Sequence, residues 1–331
     1  MSIDLSTTYL RLKLDNPIVV GACPLTGDST NLLRLEEAGA AAVVMPSLFE
    51  EQIELERSQL MLNGDNCKDA TSSTPDMSGY NAGPDACLRH VEMTKKSVSI
   101  PVIGSLNGTS HGGWLQFARL MEQAGADALE LNLFLIATDI ETSTKAIEDC
   151  YVDVVAAVRE AVSIPLAVKI GPYFAALPFF AKRLVDAGAN GLVLFNRFLE
   201  PEFDLDTFEV QPYLEFSHQS ELRSPLRWIA VLRDQLDVSL AATSGIHDSR
   251  DVLKAILAGA DIAMIASSLL RHGADHLSTI LAGLKRWLDD HDYSSTDQLR
   301  GVLSRQNYHD QTAYERGNYM RAISTYTGPL G

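Results

Sequence analysis

The chain has 331 residues, 46% of them hydrophobic, with 22 glycines and 13 prolines. That length allows two domains or one large α/β barrel, and the composition is too apolar for a disordered chain, which cannot offset its ordering entropy. With 27 Lys+Arg against 43 Asp+Glu the formal charge is −16, so nucleic acid and anionic membrane, both of which need a basic footprint, are excluded as main partners.

No apolar run reaches the roughly 18–20 residues of a bilayer helix. Met1-Ser2-Ile3-Asp4 begins no basic-then-apolar signal segment. The four cysteines, Cys23, Cys67, Cys87 and Cys150, form no CxxC pair and no metal spacing. Reduced thiols in a cytoplasm and no metal are expected.

In chain order, an N-terminal hairpin is followed by a first apolar strand, Ile18–Ala22, after Asn16-Pro17. A degenerate repeat then organises the chain: four helical patterns end in Ala-Gly-Ala and run into a β-branched segment. Ala38-Gly39-Ala40 precedes strand two (41–45), Ala124-Gly125-Ala126 strand four (127–132), Ala187-Gly188-Ala189 strand six (190–196) and Ala258-Gly259-Ala260 strand eight (261–266). Glycine just past a helix takes the left-handed conformation that closes it. Between these lie strand three (102–107) and strand five (166–170), each entered through Val-Ser-Ile-Pro, and strand seven (240–245) after Val238-Ser239. Proline is tolerated at a strand's first residue. Eight near-continuous apolar strands alternating with helical patterns predict a (β/α)8 barrel, with reactive groups at the C-terminal strand ends. A doubly wound open sheet is the competing topology.

Two regions fall outside the repeat. Residues 47–84 start as a helical pattern (Leu48, Phe49, Gln52, Ile53) and turn polar, so 54–84 reads as a lid or flexible loop. Residues 294–331 carry short helical patterns around Gln298–Leu303 and Ala313–Ile323, a C-terminal helical extension suited to covering or oligomer contact. No linker interrupts the chain, so residues 1–331 read as one domain.

The strand ends carry the chemistry. Ser244 and Gly245 after strand seven, and Ala266 and Ser267 after strand eight, are small enough for backbone N–H groups to approach a phosphate, although the same residues also serve simply to turn a chain. Lys169 closes the apolar strand LAVKI, where an unpaired ammonium is costly. It reads as a Schiff-base lysine, as a cation facing an anionic ring edge, or as half of an ion pair, with Glu130 the partner to suspect. Asn107, Asn132 and Asn196 end strands three, four and six. As a ring of amides around a planar heterocycle they favour a nucleotide-like cofactor; singly, asparagine is a common turn-former. Trp114 and Trp228 read as core, and Glu50-Glu51 and Asp289-Asp290 as solvated helix surface.

Asn16–Ala22, Glu130-Leu131-Asn132-Leu133, Leu166–Ile170 and Ser244-Gly245-Ile246 with Ala258-Gly259-Ala260 together resemble the dihydroorotate dehydrogenase family over about residues 5–290. SLFEEQI (47–53), SLNG (105–108), LFNRF (194–198) and LRHG (270–273) resemble a bacterial subgroup of dihydroorotate dehydrogenase-like proteins. The resemblance implies FMN in a (β/α)8 barrel, a dihydropyrimidine-like substrate, pyrimidine metabolism and a homodimer. By matching motif, Lys169 would face the pyrimidine edge of the flavin, and Asn132 and Asn196 would bond flavin or substrate. Gly21 and Ala22 would let the ring lie against strand one. Ser244, Gly245, Ala266 and Ser267 would hold the phosphate, with Ser217 of LEFSHQS nearby.

Departures from the family pattern matter as much. The strand-four loop of the family reads Asn-Leu-Ser-Cys-Pro-Asn or a variant, with Cys or Ser as the base. Here the base position is Leu135, the following asparagine is Ala137, and Pro46 stands where a second lysine usually follows strand two. Cys23, His111, Thr138 and Asp139 are the nearby candidates for a substitute base. A non-catalytic or changed-substrate phosphate-binding barrel is therefore the alternative function.

Overall fold

The computed structural model describes residues 3–62, 83–108, 115–197 and 200–326. Eight parallel strands alternate with eight helices. They are β1 (Ile18–Val20), α1 (Ser29–Glu37), β2 (Ala42–Val44), α2 (Pro84–Ser97), β3 (Val102–Asn107), α3 (Leu115–Gln123), β4 (Ala128–Asn132) and α4 (Thr144–Ala161). The second half comprises β5 (Leu166–Ile170), α5 (Leu177–Asp186), β6 (Gly191–Leu194), α6 (Arg223–Leu232), β7 (Ser239–Thr243), α7 (Ser249–Ala258), β8 (Ile262–Ile265) and α8 (His276–Asp290). Each strand pairs with the next; β8 pairs with β1 and β2 with β3, which closes the expected (β/α)8 barrel and rules out the open sheet.

The turns close as their chemistry requires. The four Ala-Gly-Ala glycines all have positive φ, from 96° at Gly125 to 118° at Gly259, the region where a β-carbon is penalised. At α7 the Asp248 carboxylate accepts from the N–H groups of Arg250 and Asp251, and the Gly259 N–H returns to the carbonyls of Ala255 and Ile256.

Inside the barrel, alanines alternate with larger aliphatics such as Ile103, Ile262 and Met264. Ala42, Ala128, Ala167 and Ala241 share one buried cluster with Tyr9, Leu10 and Leu14 of the N-terminal hairpin (Thr7–Tyr9 and Leu12–Leu14). Leu10 packs so closely that a β-carbon on Gly191 would lie 2.6 Å from its Cδ2. The hairpin thus plugs the end where the strands begin. Asp261 clamps it: its carboxylate meets Arg233 at 3.1 Å, Arg300 at 3.5 Å and the Leu240 N–H at 2.8 Å, while its carbonyl accepts from Thr7 Oγ1.

Some expectations change. Leu48–Phe49 is a short strand continuing the barrel wall beside Leu106–Asn107, and the helix starts only at Glu50, which is buried rather than solvated. The apolar spacing there is shared by a strand edge and a helix start. Around Gln298 there is one 3-10 turn (Asp297–Leu299), and the last helix is Arg316–Ser324. Trp228 packs against the core as expected. The polar part of the 54–84 lid reading (63–82), Cys67, His111, Trp114 and Phe198 lie outside the described residues. Between β6 and α6 an unforeseen two-stranded ribbon, Pro201–Asp204 with Glu209–Pro212, stands beside the barrel mouth.

Candidate functional site

Strand parity decides which groups face inward. Ile103, Ala128, Ala167 and Val19 lie in the barrel interior, so with a period of two Asn107, Asn132, Lys169 and Gly21 point the same way at the carboxyl ends. Asn107 is directly opposite Asn132, and Asn132 directly opposite Lys169. The three polar ends therefore form one row across β3, β4 and β5, above Glu130, whose Oε1 is 3.7 Å from the Lys169 Nζ.

On the other side of the mouth a cavity of about 140 Å³ gathers Lys169, Asn196, Ser217, Ser244, Gly245, Ala266 and Ser267. Seven of the eleven residues singled out in the sequence thus meet in one place, drawn from five segments of the chain. Phe195, Arg197, Thr243 and Met264 line it too; only Arg197, a cation directly after Asn196, had a legible signal. A larger cavity of about 550 Å³ continues outward, sharing Phe195, Asn196, Arg197 and Ser244, with Tyr173, Glu202 and Tyr213 beyond. Gly21, Ala22, Asn107 and Asn132 are outside the small cavity, on the inner wall formed by β1, β3 and β4.

The small-residue wall is built tightly. Ser244 and Gly245 both have φ of +72°. A β-carbon on Gly245 would lie 2.6 Å from the Leu222 nitrogen and 2.7 Å from the His218 carbonyl oxygen, so only glycine fits there. The Ser217 N–H donates to Ser267 Oγ at 3.2 Å, and His247 Nε2 donates to the Ser217 carbonyl at 2.7 Å. Behind them Asp251 accepts from the His247 N–H and the Gln219 amide. Burial alone would raise the Asp251 carboxyl, yet the Lys254 ammonium and those donors hold it below its usual value. It is an anchored charge that fixes the loop.

Among the described residues, three buried polar atoms at this end of the barrel lack hydrogen-bond partners: Asn132 Oδ1, Glu130 Oε2 and Ser268 Oγ. Native interiors leave few such atoms unpaired. At Gly21 an added β-carbon would meet nothing closer than 3.8 Å, so protein packing does not require glycine there. A β-carbon there would only reach ordinary contact with the Ile265 carbonyl and Met264, so the backbone of this buried position stays bare by choice of residue rather than by crowding. A cation at one edge, an unpaired amide and a small-residue cradle together fit a phosphorylated planar heterocycle.

The position expected for a base is not aimed at this mouth. Leu135 is partly buried against the core and borders a small void with Leu133, Cys150 and Tyr151 of α4. Its N–H donates to Tyr151 Oη at 3.0 Å. Thr138 and Asp139 are exposed. Cys23 is buried, and desolvation pushes its thiol up although Lys169 pulls it down, so it holds its proton at neutral pH.

Comparison with known proteins agrees with this picture. A family model described as dihydroorotate dehydrogenase matches residues 68–288. The catalytic subunit of dihydroorotate dehydrogenase B (NAD(+)) from Thermoplasma acidophilum is 25% identical over 309 residues, covering 91% of this chain and 99% of the relative. The protein of the same name from Pyrococcus abyssi is 26% identical over 315 residues, covering 90% and 98%. The chloroplastic dihydropyrimidine dehydrogenase (NADP(+)) of Arabidopsis thaliana is 22% identical over 329 residues, covering 90% and 76%.

Proposed function

The chain belongs to the dihydroorotate dehydrogenase family, and from that premise we propose that it is an FMN-dependent oxidoreductase acting on a CH–CH bond of a small dihydropyrimidine-like molecule. The observation that carries this reading is the position of Lys169: inward-facing at the end of β5, opposite Asn132 and on the rim of the small-residue cradle. When bound, the flavin supplies a two-electron acceptor. The chain's own residues do the rest. Ser217, Ser244, Gly245, Ala266 and Ser267 take the phosphate end, with Asn196 beside it. Asn107 and Asn132 hold edges of ring or substrate, and Lys169 meets negative charge at the pyrimidine edge. Gly21 and Ala22 offer the flat wall.

The test is reconstitution with FMN followed by anaerobic reduction with a panel that includes dihydroorotate and dihydrouracil. A yellow protein reduced by one of them is expected; a chain that takes up no flavin overturns the reading. General-base catalysis contributes about 10²–10⁴-fold, so with Leu135 turned toward α4, flavin reduction by dihydroorotate is expected to be slower by a factor in that range than in a relative that carries the base. Leu135 also favours a second reading, a flavin-binding barrel with a changed substrate or none. Reduction by dithionite but by no dihydropyrimidine is its signature.

The homodimer is proposed to meet on the ribbon. Its cross-strand pairs put Phe203 and Val210 on one face and Glu202, Asp204, Glu209 and Gln211 on the other. The apolar face, continued by Leu205 and Phe208 and followed by Tyr213 and Leu214, is 57–91% exposed. At about 150–250 Å² per aromatic side chain, the three rings alone present about 400 Å², half of the ~800 Å² a standard interface takes from each partner. Phe203→Ser/Phe208→Ser is expected to shift sedimentation from dimer to monomer. Wild-type protein that is monomeric at micromolar concentration disproves the contact.

A further inference from the structure

Beneath the row of polar strand ends lies a carboxylate for which the pocket chemistry gives no use. Glu130 stands on β4 two residues before Asn132, opposite Ser105 on one side and Ala167 on the other, and is 1% exposed. The 3.7 Å from its Oε1 to Lys169 Nζ is longer than the about 2.7–2.9 Å of a charge-assisted hydrogen bond. The two groups are joined by charge more than by close hydrogen-bond geometry. Glu130 Oε2 has no hydrogen-bond partner among the described residues.

The surroundings offer little else to hold a negative charge. The Ser105 hydroxyl is engaged with Ser47 at 2.7 Å. From the plugged end comes Tyr9, fully buried, its hydroxyl also unpartnered. Burial, with the charges of Glu130 and Asp261, pushes that phenol well above its usual range, so it stays neutral. Among the described residues, then, the titratable groups facing Glu130 are Lys169 on β5 and Tyr9 of the hairpin. Asp261 acts from beyond Tyr9, and Cys23, after β1, from beyond Lys169. Burial raises the Glu130 carboxyl above its ordinary value, and Lys169 offsets that only in part. A buried carboxylate that loses its only counter-charge neutralises rather than remain ionised.

Lys169 therefore has two claims on it: Glu130 from below and the pocket from above. We propose that Glu130 is the positioning residue for Lys169 and the proton acceptor of the pocket: when negative charge settles beside Lys169, the ammonium turns toward it and Glu130 takes one proton from solvent. One O–H bond forms, the proton comes from the buffer, and no electrons move within the chain. A Lys⁺/Glu⁻ pair becomes a Lys⁺/anion pair above a neutral acid, so the net buried charge stays constant. The inference deepens the FMN reading and rests on it for the identity of the anion, since reduction places negative charge at the ring edge.

Two measurements test it, one with flavin and one without. In the FMN-loaded protein the midpoint potential is followed from pH 6 to 8. One proton per two electrons corresponds to about 30 mV per pH unit; wild type is expected to show two protons per two electrons and Glu130→Gln one. Equal slopes overturn the proposal. In the flavin-free protein, Lys169→Met strips Glu130 of its counter-charge. Relative to wild type, its folding equilibrium is expected to fall by about tenfold per pH unit once the pH passes the wild-type Glu130 value, which burial already holds above the ordinary glutamate range, and Lys169→Met/Glu130→Gln removes that slope. A flat profile in Lys169→Met overturns the proposal whether or not flavin binds, whereas failure to bind FMN with the predicted profile intact counts against the flavin reading alone.

Discussion

Lys169→Met is expected to slow reduction of the bound flavin by substrate about 10²–10³-fold, the usual cost of removing one preorganised group from a site where charge develops. The argument runs from strand to charge. Lys169 is held at the end of a β5 whose other residues are apolar and buried, so its backbone does not move to accommodate a ligand. It lines the cavity with its side chain 15% exposed, and in such a place a fixed charge acts through a lower dielectric than water. Methionine keeps the length and the packing of the stem and removes the ammonium. Stopped-flow reduction under anaerobic conditions reads the rate. FMN affinity, set largely by the phosphate end, is expected to change far less than the rate. A rate within threefold of wild type would show that Lys169 serves only as the counter-ion of Glu130. Stability supplies a control with a definite sign: the folded-state pKa of Glu130 already lies above its unfolded value and rises further without Lys169, so the acid favours folding at low pH and that contribution is lost as pH rises through the folded pKa. Rates are therefore compared near pH 6, where the variant is better folded.

Much of the barrel was legible because its punctuation is chemical. Each Ala-Gly-Ala glycine marks a residue at positive φ, and each apolar segment is a strand buried on both faces. The site was legible to the extent that it is made of strand ends: Lys169, Asn107 and Asn132 share a face because their strands are in register. What escaped is what depends on packing between distant segments. Tyr9 looks like an ordinary hairpin residue until the alanines of four strands are seen to leave room for it. Leu135 looks like a lost base. Its packing against α4 shows instead a loop anchored away from the mouth, a choice made by Tyr151, sixteen residues on. The ribbon at 201–212 was hidden because proline at both of its ends suppresses the strand signal. In an exposed two-stranded ribbon that position is harmless, since neither terminal N–H is needed by a neighbour.

The phosphate end gives the most exposed test of the whole arrangement, because it depends on a single missing carbon. Gly245→Ala places a β-carbon 2.6 Å from the Leu222 nitrogen and 2.7 Å from the His218 carbonyl oxygen, in a residue whose φ is +72°. Both neighbours are backbone, so the clash is relieved only by moving the 217–222 segment. That segment delivers Ser217, whose N–H is tied to Ser267 Oγ and whose carbonyl is tied to His247. Displacing it opens the cradle from one side while β7, β8 and the row at Lys169 stay in place. Losing hydrogen bonds to a charged group costs about 1.5–3 kcal/mol each, so FMN affinity is expected to fall at least about tenfold to a hundredfold. Overpacking adds a loss of about 1–3 kcal/mol in the stability of the flavin-free protein. Riboflavin, which carries the ring without the phosphate, separates the two ends. Its affinity is expected to be nearly the same in wild type and variant, so that Gly245→Ala reduces the preference for FMN over riboflavin. Titration of both ligands by fluorescence quenching reads this directly. If the variant loses riboflavin and FMN in equal proportion, the cradle does not hold a phosphate, and the ring must be sought elsewhere in the mouth.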